Sequence, residues 1–242
     1  MPDTPPLPAP DPVRGDHPRQ ARALATRAAI LGAAAEEFGD AGYHAASLSR
    51  ILERSHVTKG ALYFHFASKE RIATAIVDEM ESLCRAIEAR SHDWGLDPLR
   101  TAARLAREVQ DALAASPILR AGQRLSSEGY AGPGRPGWPF RYWQDVFAAL
   151  FARAACDGLI HADVDPAGLG RFVADVSAGA FITSLGISDL ADLSERVRHN
   201  WELLFTAVAV PEWQAGWRAE GGMAAVLGPH LAPGAGGWVP PP

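Results

Sequence analysis

The sequence predicts an all-α protein, and three observations carry that prediction. Apolar residues recur at helical spacing through most of the chain between residues 20 and 210. Three helix starts share one device: Asp97-Pro98, Ser116-Pro117 and Asp165-Pro166 each set a capping side chain before a proline at the first helical position, where the missing N–H costs nothing. No stretch alternates apolar and polar residues convincingly enough for a strand, and there is no internal repeat.

The elements follow in order. Residues 1–18 carry seven prolines, which sustain neither helix nor ladder, and are expected to be a disordered tail. Ile30, Ala34 and Phe38, with Leu31 and Ala35 beside them, give residues 20–40 one apolar face, and Gly42 is the expected stop. Ser47 can cap a short helix that buries Leu48, Ile51 and Leu52. Ser68 can cap a long helix to about residue 92, with Ile72, Ile76, Met80, Leu83 and Ile87 as its stripe. Residues 126–139, SSEGYAGPGRPGWP, read as the obvious internal loop. Three further helical faces follow: Trp143/Phe147/Leu150/Phe151, then Leu169/Phe172/Val173/Val176/Ala180, then Val197/Trp201/Leu204/Phe205/Val208. Trp213 and Trp217 are expected to dock a final helix, and residues 221–242, rich in Gly and Pro, read as a second tail. The expected organisation is a helix-turn-helix domain over residues 19–70 and a larger helical bundle over 71–220.

Composition narrows the function. The net charge of -5 excludes a chain that is basic throughout. Residues 19–71, however, hold eight Lys or Arg against five Asp or Glu, so a mildly basic N-terminal part joins an acidic body. Two cysteines, Cys84 and Cys156, make neither a disulfide framework nor a zinc site and fit a reducing cytoplasm. No apolar run approaches a membrane span, and prolines stand where a signal peptide would be apolar. The expectation is a cytoplasmic protein with no membrane partner and no cofactor. No G-x-S-x-G, H-E-x-x-H or glycine fingerprint points to an enzyme. His161, Asp163 and Asp165 in HADVD alternate as metal ligands could, but a cap at the Asp165-Pro166 helix start explains them more cheaply.

The stretch VTKGALYFHFASKE, residues 57–70, carries the functional signal. Residues 47–64 read as a helix of about 47–54, a turn at Ser55-His56-Val57 and a second short helix from Thr58 to Phe64. Such a pair sets its second helix into the major groove N-terminus first. Gly60 and Ala61 are small enough for close backbone approach. Lys59 can donate to guanine O6/N7 or to phosphate, and Thr58 can reach phosphate or a thymine methyl. Tyr63, His65 and Lys69 can donate to phosphates, which fixes register. Leu62 and Phe64 are expected to pack inward, with Phe66 stapling the following loop.

GYHAASLSRILERSHVTKGALYFHFASKERI closely resembles the DNA-binding domain of TetR-family transcriptional regulators, over about residues 20–70. Its TKGALYFHF wording is similar to the γ-butyrolactone receptors of actinomycetes. The resemblance implies base or backbone contacts from Thr58, Lys59, Gly60 and Ala61. It implies phosphate contacts from Ser47, Tyr63, His65, Lys69 and Arg27. One departure is clear: the family's usual Ala-Gly-Val turn is here Ser55-His56-Val57. Histidine is enriched among the non-glycine residues that tolerate positive φ, so the turn is expected to survive.

For the body the resemblance implies a small-molecule pocket and a symmetric homodimer, formed by helices of about 166–187 and 190–208, on a near-palindromic operator of double-stranded DNA. Trp143 resembles the pocket tryptophan of butyrolactone receptors, against a plain core role. Phe147 and Phe151 follow one and two turns on; Trp94, Phe140 and Trp201 read rather as core. Tyr142, Gln144, Gln110, Gln123, Thr183 and Ser184 could each supply a polar contact, and the residues alone do not choose among them. Arg120 or Arg124 would matter for a carboxylate effector. The implied mechanism is a repressor released by a γ-butyrolactone- or furan-type signal that shifts the long helix starting near Ser68. The alternative is an orphan receptor that answers another metabolite.

Overall fold

The computed structural model describes residues 17–130 and 137–227. Eleven helices follow one another among them: α1 (His17–Ala45), α2 (Leu48–Ser55), α3 (Lys59–His65), α4 (Lys69–Ser91), α5 (Pro98–Ala115), α6 (Pro117–Ser127), α7 (Trp138–Cys156), α8 (Pro166–Ser188), α9 (Leu193–Val208), α10 (Pro211–Ala219) and α11 (Gly222–Leu227). The all-α expectation holds. The N-terminal tail before residue 17 and the middle of the 126–139 loop lie outside the described residues.

The caps read from the sequence are formed. Ser47, Thr58, Ser68 and Ser116 each accept a backbone N–H three residues on. Asp97 and Asp165 each accept two such N–H groups in front of their prolines. Each cap satisfies donors the helix leaves unpaired, for about 1 kcal/mol. Asp165 is thus engaged as a cap in HADVD.

Gly42 stops the long run of α1, as the sequence predicts. Its φ of 75° and ψ of 174° lie outside the helical region, and the chain resumes one turn that reaches Ala45. The break frees the Tyr43 N–H from the helical ladder, and the Glu128 carboxylate accepts it at 2.8 Å. His56 closes α2 in the left-handed region at φ 53°, the conformation the usual glycine would adopt without strain.

Two expectations are corrected. Phe64 does not pack inward: it is 82% exposed, while Leu62 and Phe66 are buried. Two residues along a helix turn the side chain about 200°, so Leu62 and Phe64 cannot share a face. The second correction is at the C-terminus. Residues 222–227 are helical rather than tail, because Met223 is fully buried and gives the segment an anchor. Residues 228–242 lie outside the described residues.

In the body, α8 lies close against α7 where Gly170 meets the Ala148 backbone. Trp201, Phe205, Trp213 and Trp217 form an aromatic chain that docks α10 on α9. The described residues contain no helix long and apolar enough to cross a membrane.

Candidate DNA-binding face and ligand cavity

α2 is set by one buried carboxylate. Glu37 of α1 is fully buried, and its Oε1 accepts the Ser47 N–H at 3.2 Å. Its Oε2 lies 3.7 Å from Arg54 and 4.0 Å from Arg50. Arg54 also reaches Asp40 at 3.0 Å and Glu36 at 3.3 Å, so α2 is strapped along α1.

This leaves the N-terminal end of α3 facing outward. Thr58, Lys59 and Gly60 are exposed, Ala61 is half-exposed, and Tyr63 is 47% exposed. Lys59 has no ion-pair or hydrogen-bond partner among the described residues. A Cβ added to Gly60 would meet nothing within 4 Å. The protein's own packing therefore does not require glycine there, although glycine weakens a helix by about 1 kcal/mol against alanine. His65 meets the exposed Phe64 edge to face, and Arg27 lies 5.4 Å above the Phe66 ring.

Lys69 has a structural role that the sequence does not show. Its ammonium donates to the Tyr43 and Ala46 carbonyls at 2.8 and 2.9 Å and lies 4.5 Å from the Tyr43 ring centre. It clasps the end of α1 to the start of α4 with two of its three donors. Lys69→Met is expected to lower stability by about 1–3 kcal/mol, the usual worth of charge-assisted hydrogen bonds. Urea unfolding checks this; a purely phosphate-binding lysine would leave the midpoint unmoved.

The body holds an apolar cavity walled by α4, α5, α6, α7 and α8. Its free space is small, on the order of 70 Å³, and almost all of its wall is apolar. Trp143 and Phe147 line it, with Phe140, which the sequence assigned to the core. α8 contributes Ala174, Ser177 and Ala178, whose small side chains make the room. Gln110 and Gln123 are the polar members from α5 and α6. None of the described lining residues carries a charge. Burial pushes the Cys84 thiol up to about 12, against a hydrogen bond from Trp143, so it stays protonated.

The other four ligand candidates lie elsewhere. Tyr142 donates to Glu88 outside the cavity; burial first, and then that bond, raise its phenol above its ordinary range. Gln144 points to Asp175 at 3.5 Å. Phe151 is fully buried in the core beneath, and Thr183 is exposed. Trp201 is core, in contact with Phe147. Arg120 and Arg124 are both spent on backbone carbonyls: Leu113 and Ala114 for the first, Gly39 and Asp40 for the second.

That last contact joins the two halves. α6 walls the cavity with Leu119 and Gln123. One residue further on, Arg124 donates to the Gly39 and Asp40 carbonyls of α1 at 2.6 and 3.0 Å. Glu128, paired with Arg124 at 3.1 Å, holds the freed Tyr43 N–H, and the Tyr130 ring stacks on Tyr43. A cavity wall and the frame of the helix-turn-helix therefore share one helix.

A helix-turn-helix with an open second helix, mounted on a bundle with an internal apolar cavity, defines a ligand-responsive DNA-binding regulator. Residues 30–76 match the family described as bacterial regulatory proteins, tetR family. The chain is 36% identical to the A-factor receptor protein of Streptomyces griseus over 205 residues, 84% of this chain and 71% of that protein. Its fold is similar to a crystal structure of a γ-butyrolactone receptor described as ArpA-like, with a TM-score of 0.75 at 30% identity, covering 85% of this chain and 98% of that one. It is equally similar to CprB from Streptomyces coelicolor in complex with its operator sequence, with a TM-score of 0.75 at 28% identity and the same coverage. The chain belongs to the TetR family of transcriptional regulators, in its γ-butyrolactone receptor-like branch. It is a DNA-binding regulator that responds to a ligand, and not an enzyme.

Proposed function

We propose that the protein is a homodimeric cytoplasmic repressor that leaves a near-palindromic operator when a small γ-butyrolactone-type signal fills the cavity beside Trp143. The observation that carries this reading is the double duty of α6, which walls the cavity and grips α1 through Arg124. A ligand pressing on Leu119 and Gln123 displaces that grip, and through Tyr43 and Lys69 it also moves the start of α4. The long helix is then one of two arms of the relay rather than the whole of it.

Thr58, Lys59, Gly60 and Ala61 meet bases or the adjacent backbone, and Ser47, Tyr63, His65 and Arg27 fix the phosphates. The exposure of Lys59 and the open space around Gly60 support this assignment. The dimer is supported by exposed apolar side chains on α8 and α9. Phe172, Ile182 and Leu185 on α8 are 53%, 62% and 44% exposed, and Leu203 on α9 is 58% exposed. Apolar exposure on this scale marks an interaction surface.

The test is a gel shift on DNA upstream of the protein's own gene, with a series of synthetic γ-butyrolactones. Retardation that weakens with salt and is released by a lactone is the expected result. In Trp143→Ala, DNA affinity is retained and the lactone concentration needed for release rises about tenfold or more, since a buried aromatic contributes several kcal/mol of contact. Retardation that no lactone releases would move the reading to a regulator answering another metabolite.

A further inference from the structure

We propose that Gln110 selects the effector by accepting a hydrogen bond from it, so that the cavity takes an uncharged molecule bearing a hydroxyl and rejects carboxylates. The inference rests on the reading of this cavity as the effector site. Gln110 lines it and is only 3% exposed. Its amide nitrogen donates to the Ser177 carbonyl of α8 at 3.1 Å. A carbonyl can only accept, so this contact fixes the orientation of the amide. The nitrogen faces Ser177, and Oε1 is the remaining atom.

Oε1 is buried without a hydrogen-bond partner among the described residues. A buried acceptor in that condition is costly, and any ligand that brings a donor recovers the cost. A ligand that brings only acceptors places like dipoles together and leaves both unsatisfied. A carboxylate fares worse. The lining has no cation among its described residues, and Arg120 and Arg124, the nearby guanidiniums, already serve backbone carbonyls. Desolvating an anion beside Oε1 has nothing to offset it. The apolar walls, Trp143, Phe147, Ile87 and Leu113 among them, fit a hydrocarbon tail on the same molecule.

The experiment uses the full chain and three probes with one tail: decan-1-ol, its methyl ether and decanoate, measured by calorimetry and by competition with any releasing lactone. Wild type is expected to bind the alcohol about tenfold or more tightly than the ether, with decanoate weaker than both. Gln110→Met, which keeps length without the acceptor, is expected to bind alcohol and ether alike. Equal affinity of wild type for alcohol and ether overturns the proposal, as does tighter binding of decanoate or no binding of the alcohol. The wild-type comparison stands even where the variant does not fold. Release of DNA is not the readout, so the two readings fail separately. Lactones that release DNA without hydroxyl selectivity remove the role of Gln110 alone. Hydroxyl selectivity without any releasing lactone keeps Gln110 and removes the lactone.

Discussion

A Lys59→Ala, Tyr63→Phe double variant will fold as the wild type does and lose about a hundredfold or more of its operator affinity. Both side chains are exposed on α3, so their removal takes nothing from the core. Leu62 and Phe66 hold the helix in place and are untouched. A contact to a base or phosphate is typically worth about 1–3 kcal/mol, and a dimer loses each contact twice. The two losses differ in kind. Lysine removal lowers the slope of affinity against salt, because fewer counterions are displaced, whereas loss of the neutral tyrosine hydroxyl leaves the slope alone. Gel shifts in a salt series, beside thermal melts of both proteins, separate these effects. Unchanged affinity would mean that α3 is not the reading helix.

Gly170→Leu is expected to be the most damaging single change in the body. A Cβ at Gly170 would lie 2.5 Å from the Ala148 nitrogen and 2.7 Å from its Cα, and backbone cannot rotate away as a side chain can. The substitution must push α8 from α7, which opens the aromatic core around Phe147 and the cavity wall together. Overpacking costs about 1–3 kcal/mol where neighbours can adjust, and more where they cannot. For a chain of this size that corresponds to a fall in Tm of roughly 5–10 °C or outright misfolding. Gly32 provides the contrast. It lies in α1 with nothing within 4 Å of its added Cβ, so Gly32→Ala should raise stability by about 0.5–1 kcal/mol. Melting curves of the two variants check both signs.

The DNA-binding half was legible because its information is contiguous. Ser47, His56 and Thr58 sit within a dozen residues, and each conformation follows from local chemistry: a cap, a left-handed turn, a cap. Phe64 departs from the core because it lies about 200° around α3 from the buried Leu62, although an aromatic there suggests burial. The structural role of Lys69 is illegible in the sequence for another reason. Its partners, the carbonyls of Tyr43 and Ala46, are unpaired acceptors at the far end of α1, more than twenty positions away, and nothing beside Lys69 announces them.

The cavity was only half legible. Trp143 and Phe147 are one turn apart and share a face, so the pattern found them. Phe151 continues that face but passes below the cavity into the core. The room itself comes from small residues on α8, Ala174, Ser177 and Ala178, which carry no signal in a composition. Gln110 was one of six polar possibilities. Only the contact to Ser177, 67 positions away, singles it out.

The central claim is that effector and operator bind the same molecule at a cost to each other. Its most direct test is the affinity of the releasing lactone for the protein alone and for the protein saturated with operator DNA. Linkage requires that the operator weaken lactone binding by the same factor by which lactone weakens operator binding. The account predicts matching factors of about tenfold or more. Equal lactone affinity with and without operator would contradict it, because a ligand that does not distinguish two states cannot shift the balance between them.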